Sequence, residues 1–176
     1  LSPRAALVKA LLLNGTRGLP DATPFNNNYG WGRVFLDNNL FFTGDGRADL
    51  VWRNAGNGQA LVWHMSATGT IASTLDLGIV PLTYELRGVG DFNGDDRADL
   101  LWYRTSDGVV AVWLMAANGT HTDTFPGAVG PGSWRPYRFG DYDGDGKADV
   151  FWRNEADGST AVWYMNGGTI AASDFF

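Results

Sequence analysis

The sequence predicts a mainly β fold in which one small antiparallel sheet is built three times. An acidic loop recurs at intervals of 50 residues, as FFTGDGRAD at 41–49, DFNGDDRAD at 91–99 and DYDGDGKAD at 141–149. Each loop runs into a short apolar segment that contains Trp, and a second Trp follows eleven residues later. Gly, Phe and Trp are abundant (24, 10 and 8 residues), which favours turns and aromatic-rich strands. A fixed period of this length indicates stacked supersecondary units.

Residues 1–40 lack the repeat and predict a short helix followed by a loop. Ser2-Pro3 is typical of a helix start, and Asn14-Gly15 of a helix end. The apolar residues between them recur at helical spacing: Ala5, Leu7, Val8, Leu11 and Leu12. A loop rich in Pro and Asn at 18–28 and a Gly-rich segment at 30–34 then lead towards the repeats.

Four short strands are predicted within the second copy. They cover 86–90, 100–104, 109–115 and 120–125, and the acidic loop 91–99 follows the first of them. Four antiparallel strands in about fifty residues make up one blade of a β-propeller.

The repeats are assigned to 41–83, 84–133 and 134–176. The front of the first copy is degraded, because Leu40 stands where the other copies have Gly90 and Gly140. We expect its opening strand to come from the region 32–42. The predicted fold is therefore three four-stranded antiparallel propeller-type blades, a partial β-propeller, after a short N-terminal helix.

The repeated Trp and Met residues are predicted to pack between blades. Trp52, Trp102 and Trp152 lie in predicted inner strands, where large aromatic rings fill the space between neighbouring sheets. The alternative is a set of exposed platforms for sugar rings. Core positions are also expected for Met65, Met115 and Met165.

The third acidic loop has the donor pattern of a calcium site. Its carboxylates fall at loop positions 1, 3, 5 and 9: Asp141, Asp143, Asp145 and Asp149. Ca²⁺ takes about six to eight oxygen ligands, and alternating acids in a tight loop can turn several carboxylates inward. Gly146 at position 6 permits the positive φ of a sharp turn. The carbonyl of Lys147 is the expected backbone ligand.

The second loop offers a near-complete copy of this set. Its predicted ligands are Asp91, Asn93, Asp95, the Arg97 carbonyl and Asp99. Asp96 stands at position 6, where Asp tolerates left-handed geometry less well than Gly but better than most residues. We expect Mg²⁺ to be disfavoured, because it prefers compact octahedral sites that retain water.

The first loop lacks two of these ligands and is predicted to be empty or very weak. Phe41 and Thr43 stand at positions 1 and 3, which leaves Asp45 and Asp49. About two Ca²⁺ sites are therefore expected in the chain. Position 12 is a mid-strand Trp in every copy, which excludes a helix-flanked loop closed by an acid at that position. The remaining alternative is a set of Asx turns with solvated carboxylates.

Residues 84–176 resemble the FG-GAP/VCBS-type repeats of integrin α-subunit propellers and of many secreted proteins, and 41–83 match that pattern less well. The resemblance is carried by 90–99 with Leu101-Trp102, and by 140–149 with Phe151-Trp152. In that family the loop binds Ca²⁺ between the first two strands of a blade. The resemblance therefore implies Ca²⁺ at the second and third loops.

Residues 1–40 resemble the C-terminal end of a subtilisin-like (S8) serine protease domain. The matching segments are Ser2-Pro3, 8–15, 30–34 and Leu36-Asp37. The catalytic motifs of that family lie upstream of this region, and none is present in the chain. His64 occupies a variable repeat position, and His121 has no Gly-flanked Ser nearby, so no catalytic residue is assigned. Whether a parent protein is a subtilisin-like serine endopeptidase is left open.

Composition excludes several classes of function. The net charge is −6 and the sequence has no basic stripe, which disfavours nucleic acid as a partner. The absence of Cys excludes disulfides and thiolate metal sites. No apolar stretch approaches the roughly 20 residues of a membrane span, and 1–15 does not have the pattern of a signal peptide.

The sequence thus predicts a secreted, calcium-binding, non-catalytic module at the C-terminal end of a subtilisin-like serine protease, with a binding and stabilising role. Its expected partner is an extracellular polymer, glycan or protein. The alternatives are a calcium-dependent lectin-like or adhesion module, and a fragment of a serine-type endopeptidase. Closed propellers have about four to eight blades, so we expect either a piece of a longer protein or a homodimer that closes a six-bladed ring.

Overall fold

The computed structural model describes residues 42–43 and 45–176, which form eleven strands in three antiparallel sheets. The first sheet has the order β1 (Leu50–Arg53), β2 (Gln59–Met65) and β3 (Ile71–Ile79). The second has the order β4 (Tyr84–Gly90), β5 (Asp99–Arg104), β6 (Val109–Met115) and β7 (His121–Ala128). The third has the order β8 (Trp134–Gly140), β9 (Asp149–Asn154), β10 (Thr160–Asn166) and β11 (Thr169–Phe175). The described residues contain no helix, so the prediction of a mainly β chain is confirmed for them.

Equivalent residues pair in all three sheets. Leu50 pairs with Trp63, Leu100 with Trp113, and Val150 with Trp163. The strands predicted for the second copy are found, although β4 begins earlier than expected. It gains Tyr84, which pairs with Arg104 and whose ring centroid lies 5.2 Å from the Arg104 guanidinium.

A bulge interrupts the first strand of the second and third sheets. The register shifts between Leu86 and Gly88 in β4, and between Pro136 and Arg138 in β8. A bulge tolerates Pro, which cannot donate a ladder hydrogen bond, and it re-aims the side chains beside it. The extra residue in the third sheet is Tyr137.

Hydrophobic cores fill the spaces between consecutive sheets. In the first core, Val51 and Val62 pack with Leu100 and Trp102, and each of these side chains is at most 1% exposed. In the second core, Leu101 and Tyr103 of the second sheet pack with Trp152 of the third, which is fully buried. The prediction that Trp102 and Trp152 pack between sheets is confirmed. Met115 and Met165 are buried beside them, whereas Trp52 and Met65 are half-buried.

The second and third sheets stack with equivalent strands in contact. The first strands of the second and third sheets, β4 and β8, contact each other, and so do their last strands, β7 and β11. The first sheet has three strands among the described residues. The predicted opening strand at 32–42 lies almost wholly outside those residues. The predicted N-terminal helix and the protease-like segment 1–40 lie outside them completely. In the described part of the chain, no helix is long and apolar enough to cross a membrane.

Candidate metal centre

The second and third acidic loops turn sharply at two positions with left-handed backbone. Position 4 is Gly94 in one loop and Gly144 in the other, with φ of 79° and 83°. Position 6 is Asp96 in the second loop, with φ of 63°, and Gly146 in the third, with φ of 84°. The predicted positive φ at position 6 is confirmed. Asp96 adopts it without being Gly, and no other non-Gly residue in the described ranges does so.

The last acid of the second loop, Asp99, is buried and ties the loop to the sheet. Its two carboxylate oxygens accept the backbone N–H groups of Phe92 at 3.0 Å and Met115 at 2.7 Å. Asp99 itself is 0% exposed. Hydrogen bonds to a charged acceptor are stronger than neutral ones, so this carboxylate joins the start of the loop to the end of β6.

The third loop repeats this arrangement at Asp149. Its carboxylate accepts the N–H groups of Tyr142 and Met165, both at 2.8 Å, and the residue is 0% exposed. A carboxylate oxygen has two lone pairs, so each of these oxygens keeps one acceptor site after its backbone bond. Asp149 can therefore hold the loop and still coordinate a cation.

Burial shifts the titration of both position-9 acids. Desolvation raises the pKa of Asp99 to about 7, against the opposing effect of its two backbone donors, and the acids of the same loop raise it further. Desolvation also raises the pKa of Asp149, and Asp143 and Asp145 add to the shift. Burial and the neighbouring acids thus both favour the protonated form of these two carboxyl groups.

The third loop brings three of its predicted ligands together. Asp141, Asp143 and Asp149 each place an acidic oxygen within 4.8 Å of the others, and no other group of three acidic, His or Cys side chains does so among the described residues. Oxygens bound to one Ca²⁺ at about 2.3–2.6 Å lie at most about 5.2 Å apart, so the spacing fits a common ion. The donors are all oxygens, as Ca²⁺ and Mg²⁺ require.

Asp145, the fourth predicted carboxylate ligand, lies outside this group. It accepts the Lys147 backbone N–H at 2.9 Å and the Lys147 Nζ at 2.7 Å. The Lys147 side chain lowers the pKa of Asp145, chiefly through this hydrogen bond. Asp141 accepts the N–H groups of Gly144 and Gly146 at 2.7 and 3.0 Å, and these bonds aim it into the loop.

In the second loop the predicted ligands are engaged by the backbone of the loop. Asp91 accepts three N–H groups, including those of Gly94 and Asp96, both at 2.7 Å. Asn93 and Asp95 each accept the N–H group two residues further along, at 3.0 Å. These are the bonds of Asx turns, the alternative interpretation of the motif. A cation site and a set of Asx turns therefore share one loop geometry here.

In the first loop, both remaining acids have hydrogen-bond partners within the protein. Asp45 pairs with Arg47, and this hydrogen bond and the Arg47 backbone N–H lower the pKa of Asp45 against the effect of desolvation. Asp49 is 1% exposed and accepts the N–H groups of Phe42 at 3.2 Å and Met65 at 2.9 Å. In addition, Nδ1 of His64 lies 3.2 Å from the Asp49 carboxylate.

The structural role of the position-9 acid was missed at the level of the sequence. A signal for it was present, because Asp49 is retained in the first loop although Phe41 and Thr43 have replaced the ligands at positions 1 and 3. Asp45 is retained as well, but it is exposed and pairs with Arg47. Asp49 is buried, and its role in this loop is to accept the backbone N–H groups of Phe42 and Met65.

Consecutive antiparallel sheets, with an acidic loop between the first two strands of the second and third sheets, are typical of repeat proteins with β-propeller-like units. The profile of the FG-GAP-like repeat matches residues 42–102 and 91–152, and the chain belongs to this family. The match supports the repeat segment recognised in the sequence. A comparison with curated proteins found none that matches.

Proposed function

We propose that this chain is a calcium-stabilised, non-catalytic binding module, with one Ca²⁺ in the third loop and one in the second. The observation that carries the proposal is the group formed by Asp141, Asp143 and Asp149, whose oxygens lie within 4.8 Å of one another. Asp141 and Asp143 are exposed, so a cation can reach the group from solvent.

Calcium suits this loop better than magnesium. The third loop can supply a backbone oxygen, that of the Lys147 carbonyl, beside its carboxylates, and Ca²⁺ accepts about six to eight oxygen ligands in irregular geometry. Mg²⁺ demands near-ideal octahedral coordination and gives up water reluctantly. Extracellular calcium modules bind at about 10⁻⁴–10⁻³ M, and we expect affinities in this range.

The second loop is proposed as the weaker of the two sites. Its acids do not form a group of three in the structure, and Asp91 already accepts three backbone N–H groups. Asp95 accepts the Arg97 N–H group through one carboxylate oxygen, so its other oxygen would supply the ligand to Ca²⁺.

Calorimetric titration with CaCl₂, after removal of metal by EDTA, tests this function. The native chain should bind about two ions, and Asp143→Ala should lose the tighter site. Asp157→Ala is the matched control, because Asp157 also accepts a backbone N–H in an exposed turn, from Ser159 at 2.9 Å, but belongs to no acidic group. An absence of binding up to about 10 mM, well above the expected range, would refute the proposal.

The proposal extends to the setting of the module, as the C-terminal accessory of a secreted subtilisin-like protease. It is supported by the resemblance of residues 1–40 and by the absence of a catalytic Ser-His-Asp motif from the sequence. Casein hydrolysis by the purified chain should be indistinguishable from buffer. Hydrolysis that a serine-directed inhibitor abolishes would show instead that the chain is itself a protease.

A further inference from the structure

The second acidic loop is held by the third sheet as well as by its own side chains. The backbone carbonyl of Asp91 accepts the N–H group of Ala148 at 2.6 Å, and the carbonyl of Phe92 accepts that of Gly167 at 2.8 Å. Ala148 stands at position 8 of the third loop, and Gly167 lies in the turn between β10 and β11. The backbone at the start of the second loop therefore has hydrogen-bond partners in the next repeat.

The second and third loops also pack closely against each other. A Cβ atom on Gly90 would lie 2.8 Å from the Cβ of Ala148, so this approach requires Gly at position 90. A Cβ atom on Gly94 would lie 3.5 Å from Cγ of Lys147, which places the Lys147 side chain against the second loop. Phe92 is 0% exposed in the core between the two sheets. A shift of the third loop at 147–148 therefore acts on the second loop through packing and through a hydrogen bond.

The peptide group between Lys147 and Ala148 has a role in both loops. Its carbonyl is the proposed backbone ligand of the third site, whereas its N–H group donates to the Asp91 carbonyl. Asp91 is the first proposed ligand of the second site, and its carboxylate accepts three N–H groups of its own loop. Hydrogen bonds in a chain polarise one another, and coordination of the carbonyl would strengthen the N–H donor of the same peptide group in this way.

We propose that Ala148 is a positioning residue for the second calcium site, and that its bond to Asp91 makes binding in the two loops cooperative. The inference rests on the function proposed above, in which each loop binds Ca²⁺. An occupied third loop has a fixed 147–148 peptide, which fixes the backbone of Asp91, so less entropy remains to be lost when the second loop binds. Repulsion between the two ions opposes this gain and is screened by salt. We expect occupation of either loop to raise the affinity of the other about fivefold.

Calorimetric titration with CaCl₂ in about 0.15 M NaCl tests the coupling. Asp143→Ala should leave the second site, and the Asn93→Ala and Asp95→Ala double variant should leave the third. If the sites were independent, the overall constant for binding both ions to the native chain would equal the product of the two single-site constants. We expect it to exceed this product about fivefold. Asp157→Ala is again the control and should keep the native overall constant.

The role of the hydrogen bond is tested at residue 148. Ala148→Pro removes the N–H donor, and this position directly precedes β9, where Pro is tolerated. When the same single-site variants are made in this background, the overall constant should equal the product of their constants.

Amide hydrogen exchange measures the coupling without a change at residue 148. In the double variant that keeps only the third site, saturating CaCl₂ should slow exchange of the N–H groups of Gly94 and Asp96, which donate to Asp91. The control is the N–H group of Thr120, which donates to the Asn118 side chain at 3.1 Å in an exposed turn of the same sheet. Its exchange rate should not change.

Four results would contradict these expectations. Two bound ions with an overall constant equal to the product would overturn the coupling and leave the proposed function intact, whereas a native chain that binds no calcium would overturn both. Coupling that persists in a folded Ala148→Pro variant would remove the positioning role of this residue. Equal slowing of exchange at Thr120 would mean that calcium stabilises the whole sheet and not the second loop.

Discussion

The carboxylate of Asp99 accepts the backbone N–H of Met115 across 16 residues of sequence, at 2.7 Å. The same bond joins Asp149 to Met165 at 2.8 Å and Asp49 to Met65 at 2.9 Å. In each sheet it fixes the exit of the acidic loop to the end of the strand that carries the second Trp. It is present in the first loop as well, so it belongs to the fold and not to a cation site.

Replacement of Asp99 by Ala should destabilise the chain even in the absence of metal. The change leaves two buried N–H groups, those of Phe92 and Met115, without an acceptor. Each unsatisfied buried group costs about 1–3 kcal/mol, so we expect a loss of about 2–5 kcal/mol. Urea denaturation in EDTA measures it. The control Asp95→Ala should cost less than about 1 kcal/mol, because that side chain is exposed. Equal effects of the two changes would contradict a structural role.

Asp96→Gly should stabilise the second loop. Asp96 has φ of 63°, and left-handed backbone costs an L-residue about 1–2 kcal/mol. Gly removes this cost, but it also raises the conformational entropy of the unfolded chain, which offsets part of the gain. The expected gain is therefore about 0.5–1 kcal/mol, measured by denaturation. The reciprocal change Gly146→Asp should lower stability, since Gly146 has φ of 84°. A gain in stability from Gly146→Asp would show that backbone strain at position 6 does not govern the stability of these loops.

Gly88→Ala should weaken the contact between the second and third sheets. The added Cβ would lie 2.3 Å from the Phe139 ring, and overpacking of this kind costs about 1–3 kcal/mol. Gly140→Ala is the control, because its nearest neighbour atom lies 3.8 Å away. The change Phe139→Leu in the Gly88→Ala background should recover part of the loss in a double-mutant cycle. Additive effects would mean that the two residues do not meet.

The first loop should gain a cation site when its lost ligands are restored. The double change Phe41→Asp and Thr43→Asp gives it acids at positions 1, 3, 5 and 9, as in the third loop. If the proposed sites are correct, calorimetry should detect about one additional calcium ion per chain. His64→Leu in the same background should not reduce this number, because Leu114 stands at that position in the second copy. An unchanged stoichiometry would mean that positions 1 and 3 are not what the loop lacks.

Much of the second sheet could be predicted because its signals are local. The alternation of apolar residues predicts the strand Val109–Met115 with its observed bounds, and the turn before it follows from Gly108. The left-handed position of Asp96 also follows from its place in the loop. The bulge at Tyr137 was not predicted, because a register shift depends on the partner strand.

The candidate site was predicted less completely than the fold. Asp141, Asp143 and Asp149 come together as their spacing suggests. Asp145 has the same spacing, yet it pairs with Lys147. A sequence pattern cannot decide whether a carboxylate binds a metal ion or the ammonium group of a nearby lysine. The pairing is a competition between neighbours, and only the positions of the atoms settle it.

By itself, then, the sequence determined the repeat, the strands and the turns of the acidic loops, because these follow from side chains close together in the chain. Only the tertiary structure decided which residues are buried. Phe92 and Tyr142 occupy the same loop position, yet one is fully buried and the other is 46% exposed. The physical reason is that burial depends on the sheet packed opposite. The third sheet covers Phe92 on the second, whereas no described sheet packs over Tyr142 on the third.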